Sequence, residues 1–183
     1  TVMSAGRHYA WRRLAAELAA TDLAGPALDV ASGTGDFAIV LAGRPAVTRV
    51  IGVDFARGMV PIAVRKARRR GLSDRLDYLV GDAHALPFQD NQFICATVGF
   101  GVRNFVDLPR ALQEMARVVR PSGRVVVMEI VRIEGNGLFS RAFPLYFRHV
   151  TPWMGVVLAG DREAYTYLPE SVQHFHSASE LAA

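Results

Sequence analysis

Short apolar runs alternate along this chain with stretches of helical periodicity, and the turns between them carry glycine and aspartate. That alternation most constrains the fold, because parallel strands need helical crossovers and bury both faces. Ala27–Val30, Arg49–Val53, Leu76–Val80, Phe93–Val98 and Arg124–Val131 read as strands. Residues 7–21 read as a helix with Trp11, Leu14, Ala15 and Leu18 on one face. Phe37–Leu41 is a second helix, and residues 57–70 a third, stopped by Gly71. Asp107 caps a fourth, with Leu108, Leu112, Met115, Ala116 and Val119 as its apolar stripe; Pro121 and Gly123 break it before the last strand. The expected class is α/β, a doubly wound, mostly parallel sheet. One domain should cover 1–183, with an N-terminal helix within 1–22 and an apolar helical cap or substrate region over 136–170.

At 183 residues the chain suits one compact domain. The lone cysteine, Cys95, lies in an apolar run and reads as core in a reducing compartment. No stretch reaches the roughly 18 apolar residues that span a bilayer. The net charge is +4, with basic residues concentrated at Arg65, Lys66, Arg68, Arg69 and Arg70. This run is either a solvated helix face or a contact for an anionic membrane surface. Nucleic acid is not expected, since no aromatics interleave with the run and no zinc pattern or RNA-binding motif occurs. No grouping of residues points to a metal.

Right-handed crossovers gather the loops after the strands at one edge of the sheet, where ligands bind at a switch point. The first loop is Asp29-Val-Ala-Ser32-Gly33-Thr34-Gly35-Asp36. Its glycines permit a tight turn and close approach of a ligand, and Asp29 can pair with a cationic group. Asp54, at the end of the second strand, can accept from both hydroxyls of a ribose, or cap the next helix. Gly81-Asp82-Ala83-His84 follows the third strand. Asp82 can accept from an adenine amino group while Met59 and Ala83 flank the ring. NAD also fits the glycine spacing, but Asp29 and the short chain favour S-adenosyl-L-methionine. That cofactor carries an ammonium, a carboxylate, a ribose and an adenine. The full cofactor set is Asp29, Ser32, Gly33, Thr34, Gly35, Asp54, Phe55, Met59, Asp82, Ala83, His84 and Gly99.

Several motifs resemble those of the quinone-biosynthesis C-methyltransferases, the UbiE/MenG/Coq5 group. Ser4-x-Gly6-x-His8-x-x-Trp11-Arg12 resembles that family's N-terminal motif. Asp29 to Asp36 resembles D-V-A-G-G-T-G-D, and Gly81-Asp-Ala-His-Ala-Leu-Pro-Phe88 resembles its G-D/N-A-x-x-L-P-F. Phe100-Gly-Val-Arg103-Asn104 resembles F-G-L-R-N, and Arg117 to Arg124 with Glu129 resembles R-V-L-K-P-G-G-R…E. The chain departs from the pattern at Ser32 and Ser122 (glycine in the family), Ile94 (aspartate), Ala38 (threonine) and Gly99 (serine). The family pattern continues with a helix and an antiparallel strand pair past Leu181, so both ends of this chain are expected to be incomplete.

The resemblance implies a Rossmann-like class I methyltransferase that methylates a polyprenyl quinol ring, demethylmenaquinol to menaquinol or the ubiquinone counterpart. A ring carbon becomes nucleophilic when its phenol loses a proton, so the site must accept that proton and steady the phenolate. Arg103 is the candidate for the phenolate, Asn104 for orientation, His8 and His149 for the proton, and Tyr165 a weaker one. The aromatic stretch Leu138–Leu158 reads as a helical cap or as a channel for a polyprenyl tail. A cytoplasmic enzyme with peripheral contact at the inner membrane face is expected, and an open sheet edge or the aromatic stretch offers a homodimer surface. The alternatives are a methyltransferase of another apolar small molecule and a non-catalytic cofactor-binding subunit.

Overall fold

The computed structural model describes residues 7–19 and 21–131, together with Phe175 and residues 180 and 181. The chain divides into two compact units, Tyr9–Glu129 and the pair of segments Thr1–His8 and Ile130–Ala183. His149, Tyr165 and the 136–170 region lie outside the described residues.

Within Tyr9–Glu129 the strands are β1 (Gly25–Val30), β2 (Val47–Asp54), β3 (Leu76–Val80), β4 (Phe93–Gly99) and β5 (Val119–Met128). All pair in parallel, in the order β3-β2-β1-β4-β5. The chain winds outward one way through β1, β2 and β3, then crosses back and winds the other way through β4 and β5. The switch point therefore falls between β1 and β4, where the loops leaving neighbouring strands diverge. Register fixes what meets there: Asp29 lies opposite Gly52 on one side and Thr97 on the other, and Gly99 lies opposite Met128.

The central strands are apolar because both faces are covered. Six successive residues of β4, Phe93 to Val98, are buried, including Ile94. Each such Val, Ile or Phe contributes about 1.5–3 kcal/mol when removed from water. Cys95 is part of this core, and burial pushes its thiol up to about 11, away from reactivity at neutral pH.

The helices are α1 (Arg7–Ala19), α2 (Asp36–Ala42), α3 (Met59–Arg69) and α4 (Leu108–Val118). Asp107 caps α4 as expected, its Oδ1 accepting from Arg110 N at 3.0 Å. Gly71 ends the turn after α3 in the left-handed region (φ 68). Three expectations need correction. In α1 the large residues Trp11, Leu14 and Leu18 are exposed, while Ala15, Ala16 and Ala19 are buried. Small side chains let this helix approach closely, and the guanidinium of Arg124 caps it by donating to Leu18 O at 2.8 Å. In α4 the buried residues are Ala111, Met115 and Val118; of the expected stripe Met115 and, at the C-cap, Val119 are buried, Leu108 and Leu112 are half-buried, and Ala116 is exposed. Finally, β5 begins at Val119, before Pro121 and Gly123; an irregularity between Phe93 and Cys95 in the β4 register absorbs the extra residues. Ser122 sits in that excursion with φ 67, a conformation that costs a non-glycine residue about 1–2 kcal/mol.

Candidate active site

β1 ends in a buried carboxylate. Asp29 is 1% exposed; its Oδ1 accepts from Thr97 Oγ1 at 2.9 Å and its Oδ2 from Ala38 N at 3.1 Å. Burial outweighs these bonds and the nearby charge of Arg12, and pushes the carboxyl up to about 7. The chain then turns through Ala31 and Ser32 into Gly33 and Gly35. A Cβ at Gly35 would lie 2.4 Å from the Tyr78 hydroxyl, so no side chain fits there. Thr34 projects beside Asp36, and Lys66 Nζ, from the last turn of α3, donates to Thr34 Oγ1 at 2.7 Å and to Asp36 Oδ1 at 3.0 Å. Lys66 therefore leaves the basic run and secures the loop, while Arg65, Arg68, Arg69 and Arg70 stay exposed.

Asp54 ends β2 and reaches across to the same loop. Its Oδ2 accepts from Gly33 N at 2.6 Å and its Oδ1 from Ala56 N at 2.8 Å. It does not cap α3, whose N-cap is Gly58 with no side-chain bond. Each carboxylate oxygen keeps a further lone pair for a ligand hydroxyl. Phe55 and Met59 flank it with apolar surface exposed at 79% and 39%.

Beyond β3, Asp82 Oδ1 accepts from His84 N at 2.9 Å and pairs with His84 Nδ1 at 2.6 Å. These bonds hold its carboxyl below the ordinary range. His84 Nε2 in turn accepts from Asp107 N at 3.2 Å, which requires the tautomer with hydrogen on Nδ1. The imidazole thus joins the third loop to the start of α4 and stacks edge-on against Phe105 at 5.8 Å.

After β4 the chain passes Gly99 and enters Phe100 at φ 62, an outlier for so large a residue. Phe100 N donates to Met128 O at 2.8 Å. A short 3-10 turn, Val102–Asn104, follows. Arg103 Nη1 lies 2.8 Å from Glu129 Oε1, with side chains only 6% and 1% exposed. The pairing of Gly99 with Met128 brings these two residues out side by side. The guanidinium of Arg12, on α1, lies over the Phe100 ring, 5.4 Å from its centroid.

These loops enclose a cavity of about 1030 Å³. Asp29, Ser32, Gly33, Thr34, Asp54, Phe55, Met59, Asp82, Ala83, His84, Gly99 and Asn104 all line it. Arg103 is not among the described lining residues; its side chain is buried against Glu129, in the same short turn that brings Asn104 to the cavity. His8 is buried at the start of α1. A nucleoside with a charged amino-acid head suits this wall: a buried carboxylate at one end, a carboxylate with free lone pairs beside apolar flanks, and a third carboxylate beyond.

Residues 1–183 match the description of the ubiE/COQ5 methyltransferase family. The chain belongs to that family. It is 43% identical over 182 residues to the demethylmenaquinone methyltransferase of Thermus thermophilus, covering 100% of this chain and 81% of that one. The Dinoroseobacter shibae ubiquinone/menaquinone biosynthesis C-methyltransferase UbiE is 39% identical over 182 residues, covering 100% and 72%. Among solved structures, the YcgJ protein of Bacillus subtilis superposes with a TM-score of 0.70 at 24% identity, over 96% of this chain and 65% of that one. The [4+2]-cyclase SpnF gives 0.64 at 35% identity, over 69% and 46%. The fold therefore hosts more than one chemistry, and the family membership rests on sequence. This ubiE/COQ5 family member is a methyltransferase that uses S-adenosylmethionine.

Some residues of this site escaped the sequence reading. Thr97 was visible only as the one hydroxyl in an apolar strand, and Arg12 only as the end of the N-terminal motif. Lys66 gave no signal apart from the run around it.

Proposed function

We propose that this family member transfers a methyl group to a ring carbon of a polyprenyl quinol, with demethylmenaquinol as the preferred substrate. The single observation that carries the reading is the row of carboxylates, Asp29, Asp54 and Asp82, that β1, β2 and β3 deliver to one cavity. It is supported by relatives named demethylmenaquinone methyltransferase in Thermus thermophilus and Deinococcus radiodurans, the latter 44% identical.

When bound, S-adenosylmethionine supplies an electrophilic methyl on a sulfonium. Asp29 takes the ammonium of its amino-acid head, Asp54 the ribose hydroxyls, and Asp82 Oδ2 the adenine amino group. Phe55, Met59 and Ala83 give the ring apolar contact, and the loop Ser32–Gly35 with Gly99 allows close approach. On the quinol side Asn104 orients a ring hydroxyl. The Glu129 carboxylate balances the Arg103 charge, so Arg103 acts by holding the turn that presents Asn104. His8 and His149 are the candidate proton acceptors, to be separated by the pH profiles of kcat for His8→Asn and His149→Asn.

A mass-spectrometric assay with short-chain demethylmenaquinol and the matching demethylated benzoquinol tests the reading. One methyl gained per naphthoquinol, faster than on the benzoquinol, is expected; no methylation of either ring overturns it. No helix among the described residues is long and apolar enough to cross a membrane. The proposal adds peripheral contact with an anionic membrane through the exposed arginines of α3. Flotation with anionic vesicles at low salt, lost on Arg65→Glu/Arg68→Glu/Arg69→Glu, is the expected result.

A further inference from the structure

The loop after β3 is fastened to α4 by a polar stripe at helical spacing. Arg110 Nε donates to His84 O at 3.2 Å, and Glu114 Oε2 accepts from Leu86 N at 2.9 Å. Arg117 donates to Leu86 O at 3.1 Å and to Phe88 O at 2.9 Å. Residues three and four apart share one face of a helix, so the three side chains reach the loop together. These bonds all end on loop backbone, and they secure His84–Phe88 whatever side chain stands at position 84.

The imidazole of His84 does something different. Its Nδ1 meets Asp82 Oδ1 at 2.6 Å, and its Nε2 accepts from Asp107 N at 3.2 Å, 23 residues along the chain. Asp107 N belongs to the turn between the 3-10 segment and α4, which also carries Phe105 and Val106. These two line the cavity, as do Asp82, Ala83 and His84 of the facing loop. Phe105 meets the imidazole edge-on, and Val106, at 97% exposed, has almost no packing of its own to hold the turn.

We propose that His84 is a positioning residue that draws the turn Phe105–Asp107 against the nucleobase side of the cavity, and that it does so only as the neutral imidazole. With hydrogen on Nδ1, the ring donates to Asp82 and offers the lone pair of Nε2 to the Asp107 N–H. A second proton goes to Nε2, where donor then faces donor and the tie opens. The bond to Asp82 becomes charge-assisted and stays, so the opening is confined to the Asp107 end. Charged groups meet the ring from each element beside it. Asp82 does so from its own loop, and Asp107 and Arg110 from the start of α4, with Glu114 behind Arg110. Imidazoles ordinarily change charge between about pH 5 and 8. The wall therefore closes on a nucleoside at neutral pH and slackens in acid.

The inference rests on the cofactor reading above, with Asp82 at the base, and one calorimetric series tells the two apart. The probe is 5′-methylthioadenosine, which has no amino-acid head and so is indifferent to the charge of Asp29. Asp82, held below the ordinary carboxylate range, stays ionised throughout. Wild type should bind the probe about 2- to 10-fold more weakly at about pH 5 than at about pH 8, the range for one hydrogen bond. Glutamine places its amide near Nε2 and can still accept from Asp107 N; asparagine places it near Nδ1 and cannot. His84→Gln should therefore bind more tightly than His84→Asn at every pH, and neither should respond to pH. In nitrogen NMR of the wild type, Nε2 should read as an unprotonated imine at the alkaline end, and the Asp107 amide should follow the titration of the ring. Urea midpoints check that the variants are folded. A wild-type affinity that ignores pH, variants that keep the wild-type response, or equal binding by the two variants each overturns the inference. No uptake of methylthioadenosine at any pH, with the Asp107 amide still following the ring, overturns the cofactor reading and leaves the tie standing.

Discussion

Asp29, near the end of β1, and Asp82, just after β3, face the same cavity, yet their surroundings treat their charge in opposite ways. Asp29 is enclosed beside Thr97, and burial raises its carboxyl to about 7. Asp82 lies at the open rim with its side chain 51% exposed, and hydrogen bonds from His84 hold it ionised. The same division separates the buried Arg103–Glu129 pair from the more open Asp54, whose bonds go to backbone amides. On the deep side a polar group is bound up with the stability of the fold. On the rim it is free to read a ligand at little cost to folding.

The largest test of that division is Arg103→Ala. It removes one member of an ion pair whose carboxylate side chain is 1% exposed, and should destabilise the fold by about 3–5 kcal/mol in urea unfolding. A loss below about 1 kcal/mol would place Arg103 with the rim. Next comes Asp54→Ala, which should weaken S-adenosylhomocysteine on the order of 100-fold by calorimetry, as expected for two lost charge-assisted bonds. Its unfolding midpoint should move far less than that of Arg103→Ala.

A third effect, smaller for each pH unit, follows from the carboxyl of Asp29. Below about pH 7 it carries a proton, so a cationic ligand must displace it. Affinity for S-adenosylmethionine should therefore rise about tenfold per pH unit on the acid side and level off above pH 7. Stability runs the other way. The native state keeps a proton that the unfolded chain releases near 3.8, so stability falls as pH rises from about 4 to 7. Asp29→Asn should flatten both curves; Asp82→Asn should flatten neither. The smallest effect is that of His84→Ala. It removes the partner of an exposed carboxylate and should weaken nucleoside binding by a factor of a few, about 1 kcal/mol or less.

The deep and open sides also differed in how far the sequence revealed them. Asp54 and Asp82 were legible because each stands where an apolar run stops, and that position alone puts a side chain at the ligand edge. β3 was legible to the residue for the same reason. The bonds that tune the deep side were not, because they cross between strands distant in sequence. Thr97 meets Asp29 only through the β1–β4 register, and Glu129 meets Arg103 only because β5 lies beside β4. The α4 stripe was partly misphased because small Ala111, with little hydrophobic signal, is fully buried while the bulkier Leu112 is only half-buried. The α1 face was misread because alanines, which carry little hydrophobic signal, make the close contact there.

The bond from Gly33 N to Asp54 has one more consequence. Fixing one residue's backbone costs about 1–2 kcal/mol of conformational entropy. Here a carboxylate from the neighbouring strand settles that cost during folding, before any nucleoside arrives. A ligand hydroxyl reaching Asp54 then joins an acceptor already anchored, and recognition of the sugar begins from an ordered loop.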